Sequence, residues 1–227
     1  MSSFLNGSVK MRPLTVVADT VPDRTNLIGI TVSVNFADRL ANTLAHNSRL
    51  LDQIYVVTDP SDSATMDIAA GFGASVVLSD VSRVRGAKFN KAGLIRAAQD
   101  QLHATSSKQP QAWFVYFDAD TQLPLDFYEV LMRHQTLRQW RRDTIYEMPR
   151  RVYATLEDME NGVVRRIGVN CGFFQMYYDK TKYYQAWSAT AGECDIHFRN
   201  RFARLVVLDG FCTHIGVDGQ DWEGRRS

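Results

Sequence analysis

The sequence lacks the features that mark membrane proteins, disulfide-rich secreted proteins and strongly basic nucleic-acid binders. It has no apolar run long enough to span a bilayer and no signal-peptide pattern at its start. Its three cysteines are an odd number without metal-type spacing, which favours a reducing compartment. The 26 basic residues nearly balance the 25 acidic ones, so the net charge is +1. We therefore expect a cytoplasmic globular protein without a membrane span.

Two common phosphate-binding motifs are also absent. The sequence contains neither Gly-x-x-x-x-Gly-Lys-Ser/Thr nor Gly-x-Gly-x-x-Gly. The first motif cradles phosphates in a P-loop, and the second holds the pyrophosphate of a dinucleotide. A P-loop kinase and a nicotinamide dehydrogenase are therefore disfavoured.

The 227 residues are 45% hydrophobic, which is enough for one domain with a full core, and we expect that domain to span 1–227. Strand and helix patterns alternate along the first half, so the sequence predicts an α/β fold with a mostly parallel, Rossmann-like sheet flanked by helices. The predicted strands are 27–34, 54–57, 74–78 and 113–117, and the predicted helices are 37–51, 63–71 and 92–103.

The second half has a more irregular pattern. It predicts helices at 125–140, 183–187 and 194–202, and strands at 144–148, 172–178 and 204–208. We expect a nucleotide-binding half at about 27–122 and a smaller, mixed acceptor-side half at about 123–227.

A buried strand followed by two aspartates is the most informative stretch. Residues 113–117 are all large and apolar, and Asp118 and Asp120 follow directly. The spacing points both carboxylates to one side of an extended chain, at the sheet edge where α/β proteins bind ligands. Two such charges favour a bound cation, and Mg2+ and Mn2+ prefer oxygen ligands of this kind. The plainer interpretation is a turn that begins a helix.

Polar residues after other predicted strands could complete a nucleotide site. Asn35 and Asp59 follow the first two strands and could bind a ribose or a base, although both residue types also suit turns. Arg83, Lys88 and Lys91 lie in a basic loop before a predicted helix. There they could hold a diphosphate or form a solvated surface.

Further candidate residues lie near the end of the chain. Glu193 and Asp195 form a second acidic pair, and one of them could take a proton from an attacking hydroxyl; both also suit a helix start. His214 could complete the metal site of the first acidic pair, although a lone histidine is more often structural. Trp222 and Arg225 could close over a phosphate.

Together these residues resemble the GT-A class of nucleotide-sugar glycosyltransferases, most closely glycosyltransferase family two. Phe89-Asn90-Lys91-Ala92 resembles the Phe-Asn-Lys-Gly stretch of that family, and Asp118-Ala119-Asp120 matches its metal-binding Asp-x-Asp motif. Glu193-Cys194-Asp195 resembles the acidic motif that supplies a base, except that Cys194 separates acids that are adjacent in the family. His214-Ile215-Gly216 resembles the late histidine that ligates the metal in several GT-A families.

The resemblance implies a GT-A fold and a nucleoside-diphosphate-sugar donor, with UDP favoured by family habit. It implies nucleotide contacts from Asn90 and Lys91 and a base at Asp195 or Glu193. The implied ligands of Mn2+ or Mg2+ are Asp118, Asp120 and His214. Asn170-Cys171-Gly172 is also similar to retaining GT-A enzymes, so the stereochemical outcome stays open.

The leading hypothesis is a metal-dependent glycosyltransferase that moves a sugar to a hydroxyl acceptor. A sugar-nucleotide pyrophosphorylase or other nucleotidyltransferase shares this kind of sheet. Those enzymes usually have a glycine-rich loop after the first strand, where this chain has Asn35-Phe36-Ala37-Asp38. A non-catalytic nucleotide-sugar binder is the third possibility, disfavoured because both acidic pairs and the histidine are present.

The acceptor is the least determined part of the hypothesis. Arginines recur between Arg133 and Arg151, with Trp140, Tyr146 and Tyr153 among them. Such a surface could bind a modified DNA through phosphate contacts and stacking, and a glycan acceptor is the alternative. A salt-bridged helix face is the plainer interpretation of the same arginines.

Overall fold

The chain folds into alternating strands and helices, with bounds close to those predicted in the first half. A computed structural model describes residues 26–105, 112–138, 140–168 and 172–216. The strands are β1 Asn26–Val32, β2 Gln53–Thr58, β3 Ser75–Leu78, β4 Ala112–Phe117, β5 Thr121–Gln122, β6 Thr144–Glu147, β7 Arg150–Tyr153, β8 Arg166–Gly168, β9 Phe174–Tyr177, β10 Arg204–Val207 and β11 Cys212–Ile215. The helices are α1 Ala37–Asn47, α2 Ser63–Gly71, α3 Lys91–Thr105, α4 Phe127–Arg138, α5 Leu156–Glu160 and α6 Ala191–Arg199, and a 3-10 helix covers Val81–Gly86.

A seven-stranded sheet, in the order β10-β6-β9-β4-β1-β2-β3, forms the centre of the fold. The strands β4, β1, β2 and β3 are parallel, β9 is antiparallel to both of its neighbours, and β10 is parallel to β6. Every residue of β4 is buried, as an unbroken apolar run predicts for a central strand. The prediction of a mostly parallel α/β sheet is therefore confirmed.

Alternate residues of β4 belong to two apolar cores, one on each face of the sheet. Trp113, Val115 and Phe117 belong to the first core, together with apolar residues of α1 and α4. Phe114 and Tyr116 belong to the second core, which includes residues of α3 and α6. The helices thus cover both faces, and the loops at the carboxyl ends of β1, β2 and β4 are left at one edge.

A second sheet has four strands in the order β5-β11-β7-β8. Its strand β5 is the next strand after β4 in the sequence. Its strand β11 pairs antiparallel with β5, with His214 opposite Thr121, and parallel with β7. Because β5 begins directly after Asp120, this pairing brings His214 to the end of β4.

The prediction of a helix at 183–187 is wrong, because that segment has no helical structure. Tyr184 is fully buried, its ring stacks on Phe198, and its backbone N–H donates to Gln99. These tertiary contacts outweigh the local preference for a helix and hold the segment in an irregular conformation. The last predicted helix begins at Ala191 and ends at Arg199, a few residues earlier than expected. Within the described ranges, no helix is long and apolar enough to cross a membrane.

Candidate active site

The candidate site lies where the parallel strands β1, β2 and β4 end. Asp118 follows β4 directly, Asp59 follows β2 directly, and Asn35 lies shortly after β1. Because these strands are parallel and adjacent, the three residues lie at the same edge of the sheet, where the strands end. Lys91, at the first position of α3, enters the site from the loop after β3.

A buried lysine joins two carboxylates from distant parts of the chain. The Nζ atom of Lys91 lies 2.9 Å from Oδ1 of Asp118 and 2.9 Å from Oδ2 of Asp195. The same ammonium donates to the carbonyl oxygen of Gly172 at 3.2 Å, and it lies 4.8 Å from the ring centroid of Tyr116. One positive charge therefore serves both carboxylates, and the site binds the two halves of the chain together.

Asp118 is further oriented by the strand that precedes it. The hydroxyl of Tyr116 donates to Oδ1 of Asp118, the same oxygen that contacts Lys91. The Asp118 side chain keeps 31% of its surface exposed, whereas those of Lys91 and Asp195 are almost wholly buried. Asp118 thus presents its remaining surface outward, as expected of a residue that meets a ligand.

The charge of the cluster changes the proton affinities of its members. Burial disfavours the charged form of Lys91, but Asp118 and Asp195 outweigh it and raise its pKa well above the usual value. Burial also opposes the ionisation of Asp118, yet Lys91 and the Tyr116 hydroxyl hold the pKa of Asp118 below its ordinary value. For Asp195, burial dominates and the charge of Asp118 adds to it, so its pKa rises to about 6 despite Lys91.

Asp195 sits in α6 against a glycine that leaves room for it. Gly172 has a φ of +85°, and a Cβ atom there would lie 2.2 Å from Oδ2 of Asp195. Glycine is therefore required at this position both for the backbone conformation and for the close approach. Glu193, the other acid predicted for catalysis, is exposed in the first turn of the same helix.

Asp120 and His214 form a separate pair beside this cluster. Nδ1 of His214 lies 3.3 Å from Oδ1 of Asp120, and both side chains are largely buried. Among the described residues, Nδ1 of His214 and Oγ1 of Thr121 are buried and have no hydrogen-bond partner. Buried lone pairs beside a carboxylate can bind a cation, and carboxylate with imidazole is a ligand set that suits Mn2+.

The contacts of Asp118 differ from those of the Asp120–His214 pair. In the described part of the chain, no three or more His, Cys, Asp or Glu side chains are grouped closely enough to hold a metal ion. The structure brings Asp120 and His214 together, whereas Oδ1 of Asp118 contacts Lys91 and Tyr116. The three-residue ligand set therefore stays a prediction.

The other predicted nucleotide contacts lie around the same edge. Asn35 is exposed in a left-handed conformation, with a φ of +56°. The Asp59 carboxylate accepts hydrogen bonds from the backbone and side chain of Ser61 and from Ser82, and the Ser61 bonds lower its pKa. Arg83 and Lys88 are exposed. Their contact with a nucleotide stays a prediction.

Asn90 is buried and holds the basic loop together. Its Oδ1 accepts from the backbone N–H groups of Gly93 and Ser188, and its Nδ2 donates to the carbonyl of Val81. With its amide used in this way, we expect Asn90 to act on a nucleotide through the position of Lys91. Trp222 and Arg225, the predicted phosphate contacts of the tail, lie outside the described residues, as do Asn170 and Cys171.

Sequence reasoning missed two residues that shape the site. The apolar run predicts Tyr116 only as a core residue, although its i, i+2 spacing from Asp118 on a strand indicates a shared face. Asp62 is buried, and its carboxylate accepts from the backbone N–H of Asn35 at 2.6 Å and from that of Thr65 at 3.1 Å. A helix-capping aspartate was detectable at Asp62, but its contact with the loop after β1 was not.

Three of the arginines predicted to bind the acceptor have different neighbours in the structure. Arg150 and Arg151 are successive residues of β7, so their side chains point to opposite faces of the sheet. Arg150 lies over Phe173 and is close enough to Asp118 to help lower its pKa, whereas Arg151 lies over Phe211. Arg133 of α4 pairs with Asp126, the residue just before that helix. These three arginines therefore lie in different surroundings, and binding of a nucleic acid by this run stays a prediction.

No family model and no curated protein matches the sequence, but solved structures share its fold. Glucosyl-3-phosphoglycerate synthase from Mycobacterium tuberculosis, in complex with Mn2+, UDP and phosphoglyceric acid, has a TM-score of 0.53 at 15% identity, over 86% of this chain and 72% of that chain. The same enzyme with Mg2+ and UDP has a TM-score of 0.50 at 15% identity, over 86% and 73%. A mycobacterial protein has a TM-score of 0.54 at 16% identity, over 88% and 70%. At such low identity the similarity shows the fold, and it confirms the expected GT-A fold.

Proposed function

We propose that the chain is a metal-dependent glycosyltransferase that moves a sugar from a nucleoside-diphosphate sugar, with a UDP-sugar favoured, to a hydroxyl acceptor. The observation that carries the proposal is the Asp118–Lys91–Asp195 cluster beside the Asp120–His214 pair, at the carboxyl edge of the parallel sheet. A diphosphate bound at this edge would lie near the fixed ammonium group of Lys91 and near side chains that can bind a metal ion. The complexes of similar structures with UDP and Mn2+ or Mg2+ support the same donor and metal.

The metal would be held by Asp120 and His214, with Asp118 as the third predicted ligand. When bound, a divalent ion supplies Lewis-acid stabilisation of the charge that develops on the leaving diphosphate. The positive charge of Lys91 partly offsets the two carboxylates at this edge, and its position is already fixed by them and by a carbonyl, so little reorganisation is needed when the donor binds. Arg83 and Lys88 would extend the positive field along the exposed loop.

Asp195 is the proposed base for the acceptor hydroxyl. A pKa of about 6 leaves its carboxylate ionised at neutral pH yet basic enough to take a proton. Glu193 is exposed and lies outside the Lys91 cluster, so it is the weaker candidate. This role belongs to an inverting reaction, and a retaining reaction would not use Asp195 in this way.

The acceptor class is proposed more broadly. The position of Arg150 near Asp118 favours an acceptor that carries an anionic group close to its reactive hydroxyl. A modified nucleic acid and a charged glycan both meet this description. The similar enzyme binds phosphoglyceric acid, which is also an anion.

A donor screen tests the proposal. The protein is incubated with nucleotide sugars and Mn2+, and release of the nucleoside diphosphate by slow hydrolysis is followed without any acceptor. We expect release from one UDP-sugar that stops with a chelator. Formation of pyrophosphate from a nucleoside triphosphate and a sugar phosphate would instead support a nucleotidyltransferase. Turnover of neither substrate class, with nucleotide-sugar binding intact, would support the non-catalytic binder.

The matched pair Asp195→Asn and Glu193→Gln tests the base with an acceptor in hand. Loss of a general base lowers turnover by about a hundredfold or more, and we expect this of Asp195→Asn with little change in UDP affinity. Glu193→Gln should have a much smaller effect. The reverse result would exchange the two roles, and near-normal rates for both would favour a retaining reaction.

A further inference from the structure

The helix that carries Asp195 is not secured by its own N-terminus. α6 has nine residues, and its N-cap Thr190 makes no side-chain hydrogen bond to the first turn. A short helix of this kind depends on tertiary contacts for its position. The contacts that hold the Asp195 turn therefore decide how its carboxylate meets Lys91.

Gln175 makes those contacts from the central sheet. It lies on β9 directly beside Tyr116 of β4, and its side chain is fully buried. Its Nε2 donates to the backbone carbonyl of Asp195 at 3.2 Å and to Oε1 of Glu147 at 3.1 Å. Its Oε1 accepts from the hydroxyl of Tyr184. Both donors of the amide and one acceptor position are thus used.

The partners of Gln175 hold α6 at a second point. Tyr184 stacks on Phe198, with 4.0 Å between ring centroids and 14° between ring planes. Arg199, in the last turn of the helix, lies 3.7 Å from Oε2 of Glu147. The Gln175 amide is therefore linked to α6 at three points: the Asp195 backbone, Phe198 through Tyr184, and Arg199 through Glu147.

We propose that Gln175 is a positioning residue that sets the Asp195 carboxylate against Lys91 by binding the Asp195 backbone. The inference rests on the proposed function for its catalytic consequence, but the positioning itself is a statement about the folded protein. The hydrogen bonds of Gln175 within the described residues go to Asp195, Glu147 and Tyr184, so its proposed effect on the site passes through the helix. A catalytic group misplaced by about 1 Å can lose roughly a hundredfold in rate.

The test compares two buried glutamines replaced by the same apolar residue. Gln175→Met removes the amide that binds Asp195. Gln99→Met is the matched control, because Gln99 is also fully buried and bonds to the Tyr184 backbone and the Tyr177 hydroxyl, but not to Asp195. Both variants should lose thermal stability. Only Gln175→Met should lower turnover, by about tenfold or more, with the donor KM within about twofold of wild type.

A spectroscopic readout separates this inference from the proposed function. The ammonium signal of Lys91 and the carboxyl signal of Asp195 are followed by NMR in the full chain and assigned with Lys91→Arg and Asp195→Asn. We expect both signals to shift in Gln175→Met and to shift much less in Gln99→Met, which keeps the bond between Gln175 and the Asp195 backbone. Unmoved signals in Gln175→Met, or equal shifts in both variants, would overturn the inference even if the protein transfers sugar. Shifted signals in a protein that turns over no nucleotide sugar would uphold the positioning and reject the function.

Tyr184→Phe keeps the inference testable if Gln175→Met does not fold. It removes the hydroxyl that donates to Gln175 and keeps the stacking on Phe198. We expect the same two NMR signals to shift in the same direction by a smaller amount. Signals identical to wild type would contradict the proposal.

Discussion

At the scale of single residues, the site is a balance of one buried ammonium against two carboxylates. Lys91, Asp118 and Asp195 together carry a net charge of −1 when all are ionised, and most of the surface of these side chains is buried. Asp195 is almost wholly buried, and burial together with the neighbouring charge of Asp118 raises the pKa of Asp195 to about 6 although Lys91 opposes the shift.

We predict that Asp195 makes the folded protein lose stability as pH rises from about 4 to about 6. Its pKa is about 6 in the folded state against a usual value of 3.8, so over this window the folded state binds more protons than the unfolded state. The free energy of unfolding therefore falls with rising pH, by about 3 kcal/mol in total, and is flat above the folded pKa. Urea unfolding of wild type and Asp195→Asn at several pH values measures this difference.

The exposed acid Glu193 provides the control for that measurement. Glu193→Gln should follow the wild-type dependence across the same pH range. A constant stability difference between wild type and Asp195→Asn from pH 4 to pH 7 would show that Asp195 has an ordinary pKa.

At the scale of elements, the loops after β1 and β2 are joined through the start of α2. Asp62 caps this helix by accepting from the Thr65 backbone, and the same carboxylate accepts from the backbone of Asn35 and the hydroxyl of Thr58. One side chain thus fixes both loops that are predicted to meet the nucleoside.

We predict that Asp62→Ala lowers both stability and donor affinity. Loss of a capping side chain costs about 1–2 kcal/mol, and the freed loop after β1 should raise the donor KM or the UDP dissociation constant severalfold. Asp67→Ala, an exposed aspartate on the same helix, is the control and should be close to neutral. Denaturant unfolding and UDP calorimetry measure the two effects. A stability loss without any change in affinity would mean that these loops do not contact the nucleoside.

The sequence was most informative for elements with a long, regular pattern. The strands β1 to β4 and the helices between them were predicted nearly to their bounds because each depends on local periodicity. The strands β5, β7 and β8 are only 2 to 4 residues long. β5 and β7 form by pairing with β11, and β8 forms by pairing with β7, so their formation depends on distant parts of the chain and not on a local sequence pattern.

The same distinction applies to the site. Asp118 and Asp120 were detectable from a buried strand and its spacing. The contact between Lys91 and Asp195 depends on how α6 packs on the sheet, so the sequence supplied both residues as candidates without their ion pair.

At the scale of the whole molecule, the two sheets meet at the Asp120–His214 pair. Asp120 follows the central strand β4, and His214 belongs to the second sheet. A metal bound by both residues would fasten one sheet to the other. Metal binding should therefore affect the stability of the whole protein as well as the donor.

We predict that UDP binds measurably with Mn2+ and very weakly with a chelator. Because ligands that bind only the folded state stabilise it, Mn2+ with UDP should also raise Tm. Calorimetry and thermal unfolding measure the two effects. His214→Ala should remove both, whereas His197→Ala, an exposed histidine on α6, should keep them. Equal UDP affinity with Mn2+ and with chelator would reject the metal role of Asp120 and His214.

The position of β9 in the central sheet determines when that sheet can be completed during synthesis of the chain. β9 is synthesised after β4 and β6 but lies between them in the sheet, so β6 has no neighbour to join until β9 arrives. A nascent chain that stops before β9 holds Lys91 and Asp118 but neither Gln175 nor Asp195. The parallel half therefore leaves the ribosome first, and the candidate site can be complete only after α6 has been synthesised.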